Sequence, residues 1–341
     1  MRKRIKQIGG ILLSLAVVCS VLTFSDVYAA PGIETDKEDC SITVDITGSD
    51  FRELKEPGRK ITVNLYKVAT VSAGGKYEPE ESFADALRGL EDVSDQTTAE
   101  EWETFAAAAK EVVDQEKITK TAEIFVEGGK GSKKDLGVGL YLIDTPDVLS
   151  DTNRYLFTPY LISLPGNNYR EDHPDDSWIY HITVGLKPEK KDLFGKLIIE
   201  KMLNGYNESL KGSTFVFQVE AVKTDVDTEE MRKVYSDVVS MDFQGAGSQS
   251  LIVEKIPAGA VVTVTEVYSG ASYELDTDKT VTATIIADEV VEASLGEIAK
   301  VSFVNSFKDG TNGGGGAVNH FTYENGEWNH SRTDDSMPDP Q

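Results

Sequence analysis

Three polar side chains lie within short apolar stretches of this sequence, and together they could form a covalent bond. They are an amine, a carboxyl group and a carboxamide, carried by Lys201, Glu266 and Asn305. The stretches that hold them are Gly195–Lys201, Ala260–Glu266 and Lys300–Phe307. Each is short and rich in Val, Ile or Phe, which predicts a β-strand. Because side chains two positions apart share a face of a strand, each polar group lies on or at the end of an apolar stripe.

Burial would give these groups a specific chemistry. Desolvation lowers the pKa of a lysine and raises that of a glutamic acid, so a neutral amine and a protonated carboxyl can coexist at about pH 7. The amine of Lys201 could then attack the side-chain carbonyl carbon of Asn305, while Glu266 hydrogen-bonds the carbonyl oxygen and transfers the proton as ammonia leaves. Such a cross-link forms once and does not turn over. The alternative is three independent strand ends at which polar residues return to solvent.

Four motifs in this half of the chain carry a family resemblance. They are Gly195-Lys-Leu-Ile-Ile-Glu-Lys201, Leu210-Lys-Gly-Ser-Thr-Phe-Val-Phe217, Val262-Thr-Val-Thr-Glu-Val267 and Phe303-Val-Asn305. In this order they resemble the isopeptide-forming, collagen-adhesin-B-like domains of Gram-positive sortase-assembled pilins. The resemblance implies that Lys201 and Asn305 form the bond and that Glu266 assists. The glutamate segment lacks the Ala-Pro-Gly-Tyr ending of the commonest family motif.

Composition and charge restrict the class of protein. A chain of 341 residues has room for two domains, and 40% hydrophobic with 27% charged residues is typical of folded protein. A formal net charge of -24 would repel nucleic acid and suits a soluble, extracellular surface. We therefore expect no nucleic-acid partner.

The first 30 residues are predicted to be a secretory signal peptide. A basic start is followed by the apolar stretch Ile11–Leu22 and the small-residue pattern Val27-Tyr-Ala29. Cleavage leaves Cys40 as a lone, incidental thiol, so the mature chain has no internal disulfide. An internal amide could serve as the covalent cross-link instead. On the loop-entropy model used for disulfides, it would stabilise a loop of about 100 residues by at most ~4 to 5 kcal/mol.

Residues 31–190 are predicted to form the first domain. Alternating apolar stretches predict strands, and helices are expected over Pro79–Leu90 and from Thr98, where Glu101 completes a capping box. The stretches Gly139-Leu-Tyr-Leu142, Pro159-Tyr-Leu-Ile-Ser-Leu-Pro165 and Trp178 to Val184 recur in this order in the N-terminal domain of Gram-positive shaft pilins, which the chain resembles over residues 40 to 190. We expect no isopeptide bond here, because the opening strand lacks a lysine and the closing strand lacks an asparagine.

The same resemblance points to a possible attachment lysine. In shaft pilins the last strand leads into a Tyr-Pro-Lys motif whose lysine a sortase joins to the next subunit. Here the equivalent stretch is Val184-Gly-Leu-Lys-Pro188, so Lys187 takes the lysine position while Gly185 and Leu186 replace Tyr and Pro. The alternative is a solvated linker lysine.

Residues 191–308 are predicted to form the isopeptide-bearing domain and residues 309–341 a flexible Gly-rich and polar tail. Seven predicted strands separated by turn residues indicate an immunoglobulin-like β-sandwich. The expected fold class is thus mainly β, with two tandem immunoglobulin-like β-sandwich domains, the first with helical insertions. The sequence shows no sortase signal after the tail, so either it is truncated or the protein is not anchored by that route.

No catalytic triad, phosphate-binding loop or cofactor fingerprint occurs in the needed context, so no turnover enzyme and no cofactor are expected. The acidic loop 170–176 lacks metal-ligand spacing and predicts a solvated loop. The favoured hypothesis is a structural pilin or pilin-like subunit on the surface of a Gram-positive bacterium, with other pilin subunits and a sortase as partners. The alternative is a secreted or surface adhesin whose first domain binds host matrix or cells and whose second is a stalk.

Overall fold

The computed structural model describes residues 32–94, 96–167, 177–209, 211–270, 272–308 and 317–334. The predicted signal peptide and the acidic loop 170–176 lie outside these residues. The chain divides into two compact units: the first comprises residues 1–148 and 156–189, and the second residues 149–155 and 190–341. The predicted domains differ in assigning 149–155 to the first. In the structure Thr152 accepts a hydrogen bond from the backbone of Leu193 at 3.0 Å.

Most of the regular structure among the described residues up to Val184 is β-strand. They are β1 (Cys40–Asp45), β2 (Lys60–Val71), β3 (Tyr77–Pro79), β4 (Ala122–Glu127), β5 (Lys130–Leu136), β6 (Gly139–Asp144), β7 (Val148–Leu149), β8 (Asn153–Phe157), β9 (Tyr160–Leu164), β10 (Gly166–Asn167), β11 (Trp178–Ile179) and β12 (His181–Val184). In the first unit the main sheet has the order β12-β1-β5-β4-β2-β6-β9, with β3 on β2. Strand β1 runs parallel to β12, so the predicted opening and closing strands are neighbours.

The helix α1 (Ala99–Glu116) begins at the predicted capping box. The Thr98 hydroxyl accepts from the backbone of Glu101, whose carboxylate accepts from the backbone of Thr98 at 2.7 Å. Its apolar stripe packs in one cluster with the sheet; the buried helix residues are Trp102, Ala106, Ala109 and Val113. The prediction of this helix is confirmed.

The predicted helix over Pro79–Leu90 is wrong. This segment instead forms two short 3-10 turns, Glu81–Phe83 and Leu90–Asp92. Gly89, with a φ of 93°, adopts the left-handed conformation, which an α-helix continuing to Leu90 cannot contain. The apolar side chains expected on one side, Phe83, Leu87 and Leu90, are nevertheless buried.

The second half of the chain also consists mainly of strands. They are β13 (Pro188–Asp192), β14 (Phe194–Asn204), β15 (Ser213–Thr224), β16 (Met231–Phe243), β17 (Gly247–Pro257), β18 (Val261–Tyr268), β19 (Tyr273–Leu275), β20 (Thr280–Thr284), β21 (Ala299–Phe307), β22 (Ala317–Glu324) and β23 (Glu327–Asp334), with a short helix α2 (Asp288–Glu292). Two four-stranded sheets, β17-β14-β21-β19 and β16-β15-β18-β20, enclose one apolar core. The predicted fold class is confirmed: the chain is mainly β, with sheets consistent with β-sandwich domains.

The hairpin β22–β23 replaces part of the predicted flexible tail. Eight residue pairs from Ala317 opposite Asp334 to Glu324 opposite Glu327 form an antiparallel ladder. The turn residues Asn325 and Gly326 both have positive φ, 56° and 83°, as the tight hairpin turn requires. The Asn-Gly pair was the sequence signal for this hairpin, and the polar composition around it obscured it.

Candidate cross-linking site

The first and last strands of the sandwich place Lys201 and Asn305 on the same inner face. Strands β14 and β21 are parallel neighbours, with Lys201 opposite Phe303 and Leu203 opposite Asn305. Residues alternate between the core and the outer face along both strands, and the two polar residues occupy core positions. Asn305 therefore lies diagonally across from Lys201, two residues along, where a long lysine side chain reaches it.

Glu266 approaches from the opposite sheet. It lies on β18, whose core-facing residues Val262 and Val264 precede it. The pairing with β15 shifts directly after it, because Phe217 is opposite Glu266 whereas Val216 is opposite Tyr268. This irregularity is a β-bulge, and it ends the regular alternation at the carboxyl group.

The three side chains form a closed hydrogen-bond network inside the core. Glu266 Oε2 accepts from Lys201 Nζ at 2.7 Å, and Glu266 Oε1 accepts from Asn305 Nδ2 at 2.7 Å. The network is closed by Asn305 Oδ1, which is in direct contact with Lys201 Nζ. Lys201 and Asn305 are 0% exposed and Glu266 is 3% exposed. The alternative of three independent strand ends returning to solvent is therefore wrong, since the groups satisfy one another away from water.

Burial disfavours the charged form of the Lys201 amine. Loss of solvent lowers the pKa of Lys201 below its usual 10.5, and the hydrogen bond and charge of Glu266 oppose this only in part. The ring of Phe215, with its centroid 4.7 Å from Nζ, covers the amine. A lowered pKa increases the fraction of neutral amine, the form that acts as a nucleophile.

Another lysine beside carboxylates shows the contrast. Burial also lowers the pKa of Lys110 on α1, but hydrogen bonding to Asp114 and the charge of Asp144 outweigh it and raise the pKa overall. Its side chain is 28% exposed. Lys110 therefore remains a charged ion-pair partner, and proximity to a carboxyl group alone does not make a lysine reactive.

The position of Glu266 differs from the predicted one in one contact. The sequence hypothesis has the carboxyl group bonding the carbonyl oxygen of Asn305, whereas Glu266 accepts from the amide nitrogen and the oxygen meets the amine. The reason is donor and acceptor matching: the amide N–H groups face a carboxyl oxygen, and the amide oxygen faces the lysine donor. One carboxyl group thus contacts both the amine of Lys201 and the amide nitrogen of Asn305.

The short strand β19 is not predicted from the sequence. It pairs with β21 so that Leu275 is opposite Asn305. The hydroxyl of Tyr273, on the same strand, hydrogen-bonds Ser213 at 2.9 Å, and its ring lies 5.5 Å from that of Phe215. The alternation of Tyr273, Glu274 and Leu275 was the available signal, but three residues are too few for a periodicity to be recognised.

Two other predicted residues lie apart from this network. Lys187 is exposed in the segment that follows β12. Cys40 is a free, fully buried cysteine, and burial raises the pKa of its thiol. A buried thiol with a raised pKa is a poor nucleophile, in keeping with an incidental role.

Within the described ranges, His, Cys, Asp and Glu side chains do not come together in any group of three that could hold a metal ion. Among the same residues no helix has the length and apolar character needed to span a membrane.

One family model matches the chain, over residues 197–308. Its description is a domain of unknown function, DUF5979. The match includes Lys201, Glu266 and Asn305. No curated protein matches the chain.

Solved structures that the chain resembles are pilins and adhesins at low identity. A streptococcal ancillary pilin is 12% identical, with 86% of this chain and 80% of that chain covered and a TM-score of 0.27. The major pilin SpaA of Corynebacterium diphtheriae, described as having stabilising isopeptide bonds, is 12% identical over 78% of this chain and 100% of that chain, with a TM-score of 0.24. A Mobiluncus mulieris adhesin with disulfide, isopeptide and ester cross-links is 12% identical over 74% and 86%, with a TM-score of 0.24.

Proposed function

We propose that this protein is a structural pilin or pilin-like subunit of a bacterial cell surface, in which Lys201 and Asn305 become joined by an intramolecular amide with the help of Glu266. The observation that carries the proposal is the direct contact between Lys201 Nζ and Asn305 Oδ1 within a buried network closed by Glu266. A core that buries these three groups without a chemical purpose would incur a desolvation cost that apolar residues avoid.

The contacts support a balanced reaction within the network. Transfer of a proton from the lysine to Glu266 leaves a neutral amine beside a protonated carboxyl group. The Nζ lone pair attacks Cγ of Asn305, and the new N–C bond forms as the amide carbonyl becomes tetrahedral. The protonated carboxyl group of Glu266 then gives its proton to Nδ2 and takes one from Nζ, and the Cγ–Nδ2 bond breaks. The products are the amide, one ammonia and Glu266 in its protonated form, so the proton first taken from the lysine ammonium is accounted for.

The burial of the site favours a single event over turnover. All three groups are enclosed in the sandwich core, where a second substrate has no access, and the product is part of the fold. Glu266 therefore assists one bond formation per molecule. Neither a cofactor nor a metal ion takes part in the proposed reaction.

The place of the bond in the fold suggests its use. It connects the first and last strands of the second unit, so chain tension would pass through an amide instead of through hydrogen bonds. This suits an exported subunit exposed to force and proteases on a Gram-positive surface. Other subunits of the same kind and a sortase are the partners that we infer.

Intact-mass measurement of the secreted protein tests the cross-link. The wild-type protein should be lighter than its sequence by one ammonia, and Lys201→Ala, Asn305→Ala and Glu266→Gln should each abolish this deficit. Lys223→Ala is the matched control, because Lys223 is also buried and lies 2.6 Å from a carboxylate oxygen of Asp192. A wild-type mass equal to the unmodified sequence would refute the cross-link.

Assembly through Lys187 is tested separately. Incubation with the cognate sortase and a subunit that carries its recognition signal should give covalent ladders that contain this protein and are lost in Lys187→Ala, because this exposed amine is the expected acceptor. Ladders should persist in Lys191→Ala, which removes a nearby linker lysine. Ladders that do not depend on Lys187 would place the acceptor elsewhere, and the absence of any ladder would favour a surface protein that is not polymerised.

A further inference from the structure

The hairpin β22–β23 has one aromatic face and one polar face. Residues directly opposite one another share a face of the ladder, so Phe321 and His330 lie on the same side as Tyr323 and Trp328. The ring centroids of each pair are 5.0 Å and 5.2 Å apart. The polar side chains of the opposite face, which include Thr322, Glu324, Glu327 and Asn329, are exposed. A two-stranded hairpin of this kind is at best marginally stable alone, so its aromatic face needs a partner.

Burial within the aromatic face is uneven. Tyr323 is 59% exposed, whereas its cross-strand neighbour Trp328 is less exposed and half-buried. Phe321 and His330 are half-buried as well. A free ladder would expose opposite side chains similarly. The difference indicates that the Trp328 side of the hairpin is covered.

Strand β16 supplies the contacts on that side. The backbone N–H of Trp328 donates to Ser236 Oγ at 3.2 Å, and Lys233 Nζ lies 3.5 Å from Glu327 Oε2. Lys233 is also hydrogen-bonded to Glu220 of the neighbouring strand at 2.8 Å, which fixes its position for the second carboxylate. The hairpin therefore meets the body of the second unit through adjacent residues 327 and 328.

Strand β16 is also a long edge strand, which makes it open to pairing with another chain. It is 13 residues long and lies at the edge of its sheet. Long edge strands can pair with other chains unless they are blocked. The inward-facing Asp237, opposite Val219, already acts against such pairing at one position.

We propose that the aromatic hairpin, residues 317–334, is a detachable clasp that docks on outward-facing side chains of β16 of its own chain and so hinders pairing of this edge strand with a second copy. The ion pair of Lys233 with Glu327 and the hydrogen bond from Trp328 to Ser236 hold it there. Because the ion pair is partly exposed, docking weakens as salt rises, with screening lengths of about 3 Å at 1 M salt.

Fluorine NMR of protein labelled with 5-fluorotryptophan tests the clasp. The chain has three tryptophans, and the Trp328 resonance is assigned with Trp328→Phe. Lys233→Glu and Glu327→Lys should each shift this resonance toward its undocked position, with the docked population reduced about two- to fivefold, the range for an exposed ion pair. The double variant Lys233→Glu/Glu327→Lys should restore docking. Glu324→Gln is the matched control, since it removes a carboxylate from the same polar face without placing a cation opposite Glu327.

Circular dichroism of the strands reports whether each variant remains folded, because Trp102 and Trp178 both lie in the first unit. A Trp328 resonance that is unchanged in both single variants would overturn the clasp. A docked signal that is lost on dilution would also overturn it, because the hairpin would then be bound to a second molecule.

Discussion

Glu266→Gln should lower the free energy of unfolding of the second unit by up to about 4 to 5 kcal/mol, the upper limit for loss of a cross-link that closes a loop of about 100 residues. The substitution keeps the size of the side chain but cannot transfer the proton, so Lys201 and Asn305 remain unjoined. Denaturation with guanidinium chloride, monitored by the far-UV circular dichroism of the strands, measures the change in the free energy of unfolding.

Glu200→Gln is the control for this experiment. Glu200 neighbours Lys201 on β14 but faces outward, where it pairs with Lys300 at 3.2 Å. Loss of such an exposed ion pair costs about 0 to 1 kcal/mol. If the free energy of unfolding falls by the same small amount in both variants, the wild-type protein has no covalent cross-link at this site.

The pH dependence of Glu266→Gln separates an unreacted lysine from a general loss of packing. Burial lowers the pKa of Lys201 from 10.5 in the folded chain, and removing the carboxylate removes the contacts that oppose this shift. The unfolded chain then binds more protons than the folded chain just below pH 10.5, so the free energy of unfolding rises with pH in that window. If the wild type is cross-linked as proposed, it has no such amine and should lack this rise. An equal rise in both proteins would mean that Lys201 is free in both.

Much of the second unit could be predicted because its strands obey a simple alternation. Lys201, Glu266 and Asn305 stand out in sequence because each breaks an apolar stripe, and the parallel pairing of β14 with β21 brings two of them together. The direction of each contact could not be predicted. Which amide atom of Asn305 faces Glu266 depends on how donors and acceptors pair inside the closed core, and strand periodicity carries no information on this.

The errors occurred where local conformation depends on a few backbone angles. Gly89 lies in the left-handed region within the segment predicted as the first helix. Asn325 and Gly326 form the turn of a hairpin within the segment predicted as a flexible tail. Both positions have positive φ, which side-chain polarity does not reveal. The buried ring of Phe215 over the amine was likewise hidden, since it depends on how the two sheets face each other.

When single molecules are stretched from their ends, the wild-type second unit should fail to release the chain between its cross-linked residues. Force enters at the start of β14, passes along the strand to Lys201, crosses to Asn305 and leaves at the end of β21. These two residues are 104 positions apart, and the amide prevents the chain between them from extending under force. At full extension that chain would span about 340 to 370 Å. Atomic force spectroscopy measures this as a missing contour-length increment.

Glu266→Gln should restore that increment, because only hydrogen bonds then join the parallel strands β14 and β21. Lys223→Ala should not, since its ion pair with Asp192 carries no covalent link. A wild-type trace that releases the full length would show that the two residues are in contact but not bonded. The comparison isolates the covalent bond from burial, because Glu266→Gln leaves both reacting side chains in place and removes only the group that moves the proton between them.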